Sequence, residues 1–115
     1  MLSFEERISK ELMKLVEEFA MPWFERCIQK YTEEEWHRRM HSSWNLYEDW
    51  QQNHYAKYWG WIKKLRKIRH YIIWDSEGFT NKVVELLNSR GWKVDELERK
   101  KIYETIKKVE RDIYS

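Results

Sequence analysis

The densest chemistry in the chain lies in the run Lys57-Tyr58-Trp59-Gly60-Trp61-Ile62-Lys63-Lys64-Leu65-Arg66-Lys67-Ile68-Arg69-His70. Six permanent cations and one histidine alternate with the rings of Tyr58, Trp59 and Trp61, and no acid interrupts them. Cations neutralise phosphates and flat rings stack on bases, so the mixture suits a polyanion that carries bases. On a helix, Lys57, Trp61 and Lys64 line one side, while Lys63, Lys67 and His70 lie on another. Arg66 and Arg69 project near the apolar face. A guanidinium there needs a carboxylate, a phosphate or the rim of a pocket. The plainer alternative is a solvated basic face with arginine stems laid along apolar surface. Trp59 and Trp61 are two positions apart and cannot both face the core of one helix. One of them is expected to meet solvent or a ligand.

Two further clusters carry the same chemistry. Trp92 follows Gly91 and sits between Arg90 and Lys93. It reads either as a base-stacking platform, worth about 1–3 kcal/mol per base, or as an apolar cap over a helix end. In Trp36-His37-Arg38-Arg39-Met40-His41, the arginines are candidate phosphate contacts. His37 and His41 have the i, i+4 spacing of a metal pair on a helix. However, the glutamate of an H-E-x-x-H motif is missing, two arginines separate the imidazoles, and no CxxC supports them. No protein-held metal is expected. Catalysis has no visible constellation either: there is no phosphate-binding glycine loop and no nucleophile elbow. Glu33, Glu34 and Glu35 sit at a helix start, where the dipole explains them. Glu48 and Asp49 point about 100° apart on a helix. Cys27 lies on an apolar stripe.

The elements that must position these residues read as helices throughout. The chain has 115 residues, the length of one domain, with 42% hydrophobic and 37% charged residues. Three Gly and one Pro leave few turns for a β sandwich. Ser3-x-x-Glu6 and Thr32-x-x-Glu35 are capping boxes, and Asp95-x-x-Glu98 is a box-like start. Between them, apolar residues recur every three or four positions: Phe4, Ile8, Leu12, Leu15, Val16 and Phe19, then Trp23, Phe24, Cys27, Ile28 and Tyr31 after Pro22. Ser42-Ser43 is expected to kink a third helix before Trp44, Tyr47 and Trp50. Asn53-His54 breaks it, and a further helix runs from Tyr55 to about Trp74 with Tyr55, Tyr58, Ile62, Leu65, Ile72 and Ile73 inward. Thr80 is expected to cap the next helix (Val83, Val84, Leu87), which Gly91 stops. Leu97, Ile102, Ile106, Val109 and Ile113 form the last face. The reading is an all-α fold, a single compact bundle of five to seven helices spanning residues 1–115.

Charge is segregated along this bundle. Residues 1–35 carry net −4, residues 36–74 carry net +6 and residues 75–115 carry 0. No apolar run approaches a membrane span, so no membrane partner is expected. Charged sequence directly after Met1 and a lone cysteine fit a reducing, cytoplasmic setting.

The run from Pro22 through Trp23, Phe24, Glu25, Arg26, Cys27, Ile28, Gln29, Lys30 to Tyr31, the Trp36–Met40 segment and the 58–70 stretch together carry a resemblance. Over its whole length the chain resembles the helix-bundle domain of archaeal plasmid replication proteins, whose primase–polymerase domain belongs to the archaeo-eukaryotic primase superfamily. The resemblance implies a fragment of a larger replication protein, with the catalytic domain before it and a helicase further on. The primase metal-binding carboxylates have no counterpart here, so the fragment is not expected to be catalytic in isolation. It implies binding of single-stranded DNA template and of initiating nucleoside triphosphates (ATP or another NTP or dNTP, with magnesium), beside the adjacent primase–polymerase catalytic domain. A monomer is expected. The candidate nucleic-acid and nucleotide-binding residues are Arg38, Arg39, Lys57, Tyr58, Trp59, Trp61, Lys63, Lys64, Arg66, Lys67, Arg69, His70 and Trp92. The competing readings are a protein-interaction bundle, such as a phage or plasmid regulator that binds no nucleic acid, and a small enzyme with an unrecognised site.

Overall fold

Helix starts are set by local hydrogen bonds that the sequence encodes. The computed structural model describes residues 1–3, 6, 10, 14, 17–18, 25–26, 29–71 and 73–115. Thr32 opens helix α1 (Glu33–Met40) with a reciprocal box: the Glu35 amide donates to Thr32 Oγ1 at 3.2 Å, and the Thr32 amide donates to Glu35 Oε2 at 3.0 Å. Asn45 caps α2 (Leu46–Asn53) by accepting from the Glu48 amide at 3.1 Å. Helix α3 (Tyr55–Ile68) follows after His54 and ends in a 3-10 turn, Arg69–Tyr71. Asp75 caps α4 (Ser76–Ser89), and Asp95 opens α5 (Glu96–Tyr114) with a second box. The fold is all-α. These five helices form one bundle, and no strand occurs among the described residues.

Several local expectations are corrected. Ser42-Ser43 does not kink one helix; it ends α1. The Ser42 hydroxyl donates to the Arg39 carbonyl at 2.9 Å and accepts from the Trp44 amide at 3.1 Å, which is the competition with helical bonding that short hydroxyl side chains offer. Thr80 is not a cap. Asp75 accepts from the Gly78 amide at 2.9 Å five positions earlier, and Thr80 is buried with its hydroxyl donating to the Ser76 carbonyl at 2.7 Å. Tyr55, Ile73 and Leu97 were expected inward and are exposed. Tyr55 and Leu97 lie in first turns, ahead of the neighbouring helices, and the 3-10 turn after Ile68 shifts the phase before Ile73. For the first helix, the Glu6 amide donates to Ser3 Oγ at 3.2 Å. The apolar stripe from Phe4 to Phe19, the residues Pro22, Trp23, Phe24, Cys27 and Ile28, and Ile72 lie outside the described residues.

Helix α5 packs against each of the other four. Its inward stripe of Ile102, Ile106, Val109 and Ile113 is fully buried against Trp36 and Met40, Trp50, Ile62 and Leu65, and Val83 and Leu87. Each such aliphatic side chain contributes about 1.5–3 kcal/mol. One polar knot crosses this core: the hydroxyls of Tyr47 (α2) and Tyr58 (α3) both donate to Asp112 Oδ2 (α5). Burial first, and then the bond to Asp112, hold both phenols above their ordinary range, so they remain donors.

Gly91 ends α4 as its type predicts. With φ at 86° it supplies the left-handed residue of a Schellman motif, in which the Gly91 amide donates to the Asn88 carbonyl at 3.0 Å and the Trp92 amide to the Leu87 carbonyl at 3.1 Å. No atom would meet a Cβ there, so Gly91→Ala is a purely conformational change. It is expected to cost about 1–2 kcal/mol in urea denaturation with an unchanged far-ultraviolet spectrum.

Candidate nucleic-acid and nucleotide interface

Helix α3 carries no acidic residue. Its buried side holds Tyr58, Trp61, Ile62 and Leu65. The opposite arc presents Lys57, Gly60, Lys63, Lys64 and Lys67, all exposed. Lysines at Lys63 and Lys67 are one turn apart and repel by a few tenths of a kcal/mol. Gly60 leaves a gap in the middle of this arc, where a Cβ would meet nothing within 4 Å. A helical glycine costs about 0.5–1 kcal/mol relative to alanine, and packing does not explain this one. The arc is therefore a strip of positive charge with bare backbone at its centre, open to a close-lying anionic chain.

The aromatic candidates are placed differently from the expectation. Tyr58 is fully buried, Trp61 is 1% exposed and Trp92 is 7% exposed. None of the three offers a face to a base, so the stacking role expected of them is corrected. Tyr58 and Trp61 fall on the core side of α3, and the Tyr58 hydroxyl is held by Asp112. Trp92 folds back over the end of α4 and meets the Trp36 ring edge-on at 5.4 Å, the apolar-cap alternative. Trp59 is partly buried, with Tyr58 edge-on at 5.1 Å and the Arg66 guanidinium 5.8 Å from its ring.

Arg66 and Arg69 find their partner within the bundle. Arg66 Nε donates to the Asp112 carbonyl at 2.8 Å, and Arg69 Nη1 to the Ser115 carbonyl at 3.2 Å. These are carbonyls left over at the end of α5, where a cation also suits the helix dipole. Neither a carboxylate nor a phosphate is needed to explain the two guanidiniums. His70 is exposed in the 3-10 turn. On α1, Arg38 is exposed, while Arg39 lies over the Tyr31 ring at 4.2 Å and near the Trp44 ring at 5.8 Å. Neither joins the lining of the pocket beside His54.

The start of α3 adds a feature that the sequence reading missed. His54 precedes the helix, and no side chain supplies the usual capping oxygen to its first amides. Beside it opens a pocket of about 460 Å³ lined by Arg26, Gln29, Lys30, Asp49, Asn53 and His54. Asn53 Nδ2 donates to Asp49 Oδ1 at 2.6 Å, which engages the one acid of the lining. Burial, and then the charge of Arg26, hold the His54 imidazole below its ordinary value; Lys57 and Lys30 push the same way and Asp49 opposes them. Burial is the larger cause of this shift, and the nearby cations add to it. Arg26 and Lys30 thus line a concavity at a helix start that no side chain caps. The available signal was Arg26 and Lys30 at i, i+4, but the acidic balance of residues 1–35 concealed it.

Among the described residues, no helix is long and apolar enough to cross a membrane. No family model, curated protein or solved structure matches the chain.

Proposed function

We propose that this bundle is the template- and nucleotide-binding accessory domain of a DNA primase. It holds single-stranded DNA along the lysine arc of α3 and a nucleoside triphosphate, with its magnesium ion, at the start of that helix. The observation that carries the reading is the continuity of the two features: an acid-free lysine strip around Gly60 begins at a cationic pocket on an uncapped helix end. Arg26, Lys30 and Lys57 neutralise phosphates, the first amides of α3 orient them, and Lys63, Lys64 and Lys67 carry the strand onward. The word primase rests on the resemblance, which also assigns catalysis to an adjacent primase–polymerase domain and makes this fragment non-catalytic in isolation.

His54 supplies the test. Bound triphosphate places negative charge beside the imidazole, so its proton affinity rises from the lowered free value. Binding then takes up a proton, and affinity increases as pH falls through the window between the free and bound values. Histidine NMR titrations with and without saturating magnesium–ATP should show this shift at His54. Arg26→Ala should weaken ATP binding about tenfold or more, the scale of a charge-assisted bond. A His54 titration indifferent to bound ATP rejects the pocket. If template and nucleotide share the site, each tightens the other by the same factor.

A protein-interaction bundle remains the second reading, favoured by one observation: Tyr71 and Ile73, two positions apart after α3, stand 54% and 72% exposed. A partner held there dissociates little with added salt, whereas a phosphate chain dissociates steeply.

A further inference from the structure

Away from α3, α1 and α5 bring together His37, His41 and Glu98, one ligand atom from each lying within 4.8 Å of the others. His37 and His41 are one turn apart on α1, and Glu98 arrives from the first turn of α5, 61 residues after His37. The sequence objection to a metal was a missing carboxylate and two intervening arginines. Tertiary packing supplies the carboxylate, and Arg39 is turned onto the rings of Tyr31 and Trp44.

We propose that His37, His41 and Glu98 form a binding site for a divalent zinc ion that clamps α1 to the start of α5. The donor set is two imidazole nitrogens and one carboxylate oxygen, which zinc accepts and magnesium, an oxygen-seeking ion, does not. Tetrahedral zinc at about 2.0–2.1 Å from each ligand needs ligand atoms about 3.3 Å apart. His37 Nδ1 and Glu98 Oε2 are 2.6 Å apart and must open slightly. The widest pair, at up to 4.8 Å, must close by more, within reach of a side-chain rotation.

The surroundings are those of an oriented ligand set. Glu98 is fully buried, and its other oxygen accepts from the Asp95 amide at 3.0 Å, which locks the carboxylate plane. His37 turns Nδ1 toward Glu98 and Nε2 toward Glu33 Oε1 at 3.5 Å, so a carboxylate backs the ring on the far side of the metal position. Asp95 Oδ2 lies 2.8 Å from His41 Nε2 and can orient that ring. The Trp92 ring lies 6.4 Å from the His37 ring. A buried carboxylate requires compensation. In the metal-free form His37 Nδ1 and Glu98 Oε2 are hydrogen-bonded; with zinc on Nδ1, the neutral ring carries its one proton on Nε2, toward Glu33 Oε1. The exposed His41 ring provides the entry side. This inference does not depend on nucleotide or DNA binding.

The test is a calorimetric titration of the 115-residue chain with zinc, followed by thermal melts at several zinc concentrations. We expect one saturable equivalent, a melting temperature that rises with the logarithm of free zinc, and no competition from magnesium. Cobalt in place of zinc should give the intense visible absorption of a tetrahedral site. His41→Ala, which removes an exposed ring, should fold and lose at least about tenfold in zinc affinity, since even outer-shell partners are worth that much. His70→Ala should bind like the wild type. Glu98→Gln keeps shape and a hydrogen-bond acceptor while removing the charge, and should also lose affinity. Absence of saturable binding, or undiminished affinity in both His41→Ala and Glu98→Gln, overturns the proposal.

Discussion

Trp92→Ala is expected to lower the unfolding free energy by about 3–5 kcal/mol, the usual cost of emptying a buried tryptophan site. That is a large part of the about 5–15 kcal/mol that a domain of this kind has in total. The reason is specific to its place. Trp92 covers the end of α4, its amide closes the Schellman motif on Leu87, and its ring fills the space beside Trp36 and His37. The check is urea denaturation of Trp92→Ala and Trp92→Phe. The phenylalanine variant keeps part of the packing and should fall between. A base-stacking residue on a basic loop behaves in the opposite way: its alanine variant keeps full stability and loses affinity for single-stranded DNA. Wild-type stability in Trp92→Ala would therefore restore the stacking reading and contradict the burial.

Replacing Lys57, Lys63 and Lys67 together by alanine is expected to remove most single-stranded DNA binding without harming the fold. All three side chains are exposed. Removing the Lys63–Lys67 repulsion and adding alanines favours the helix by a few tenths of a kcal/mol. Each lost phosphate contact reduces the slope of log affinity against log salt by about 0.7 for a single strand, so the triple variant should lose about two units. Fluorescence anisotropy of a labelled oligonucleotide at several salt concentrations measures both quantities. Gly60→Ala makes a sharper companion. Its new methyl meets no protein atom, so it should stabilise the helix by about 0.5–1 kcal/mol. If a strand lies against the bare backbone, the same change weakens binding with no loss of charge. Unchanged affinity and slope in the triple variant would move the DNA elsewhere on the surface.

The secondary structure was legible because it rests on short-range rules. The boxes at Thr32–Glu35 and Asp95–Glu98, the stop at Gly91 and the period of α5 from Ile102 to Ile113 each involve residues within one or two turns of one another, and all appear where the pattern placed them. Where two local rules competed, the sequence was less decisive. Asp75 and Thr80 are both acceptable caps, and only the burial of Thr80 against the bundle separates them.

The candidate site was legible in its charges and not in its rings. Lysine stems reach solvent from almost any helical position, so the exposed arc of α3 follows from periodicity alone. A tryptophan's fate depends on what stands opposite it. Trp59 and Trp61 differ in the sequence only by their phase, and Trp92 only by the way the chain turns after Gly91. Arg66 and Arg69 were read as needing a carboxylate, a phosphate or a pocket rim, whereas their partners are backbone oxygens at the end of a helix 46 residues away.

Composition, capping residues and apolar period thus account for an all-helical bundle and for its basic third helix, since each acts through neighbours fixed by the covalent chain. The rest is a matter of which distant surfaces meet. Packing α5 against the other helices buries three of the four aromatic candidates, engages Arg66 and Arg69, and carries Glu98 to His37 and His41. The end of α2 opens a cationic pocket beside Arg26 and Lys30 for the same reason. Contacts between residues this far apart in the chain are selected by the shape and burial of the whole core, a sum over many side chains that no local pattern contains.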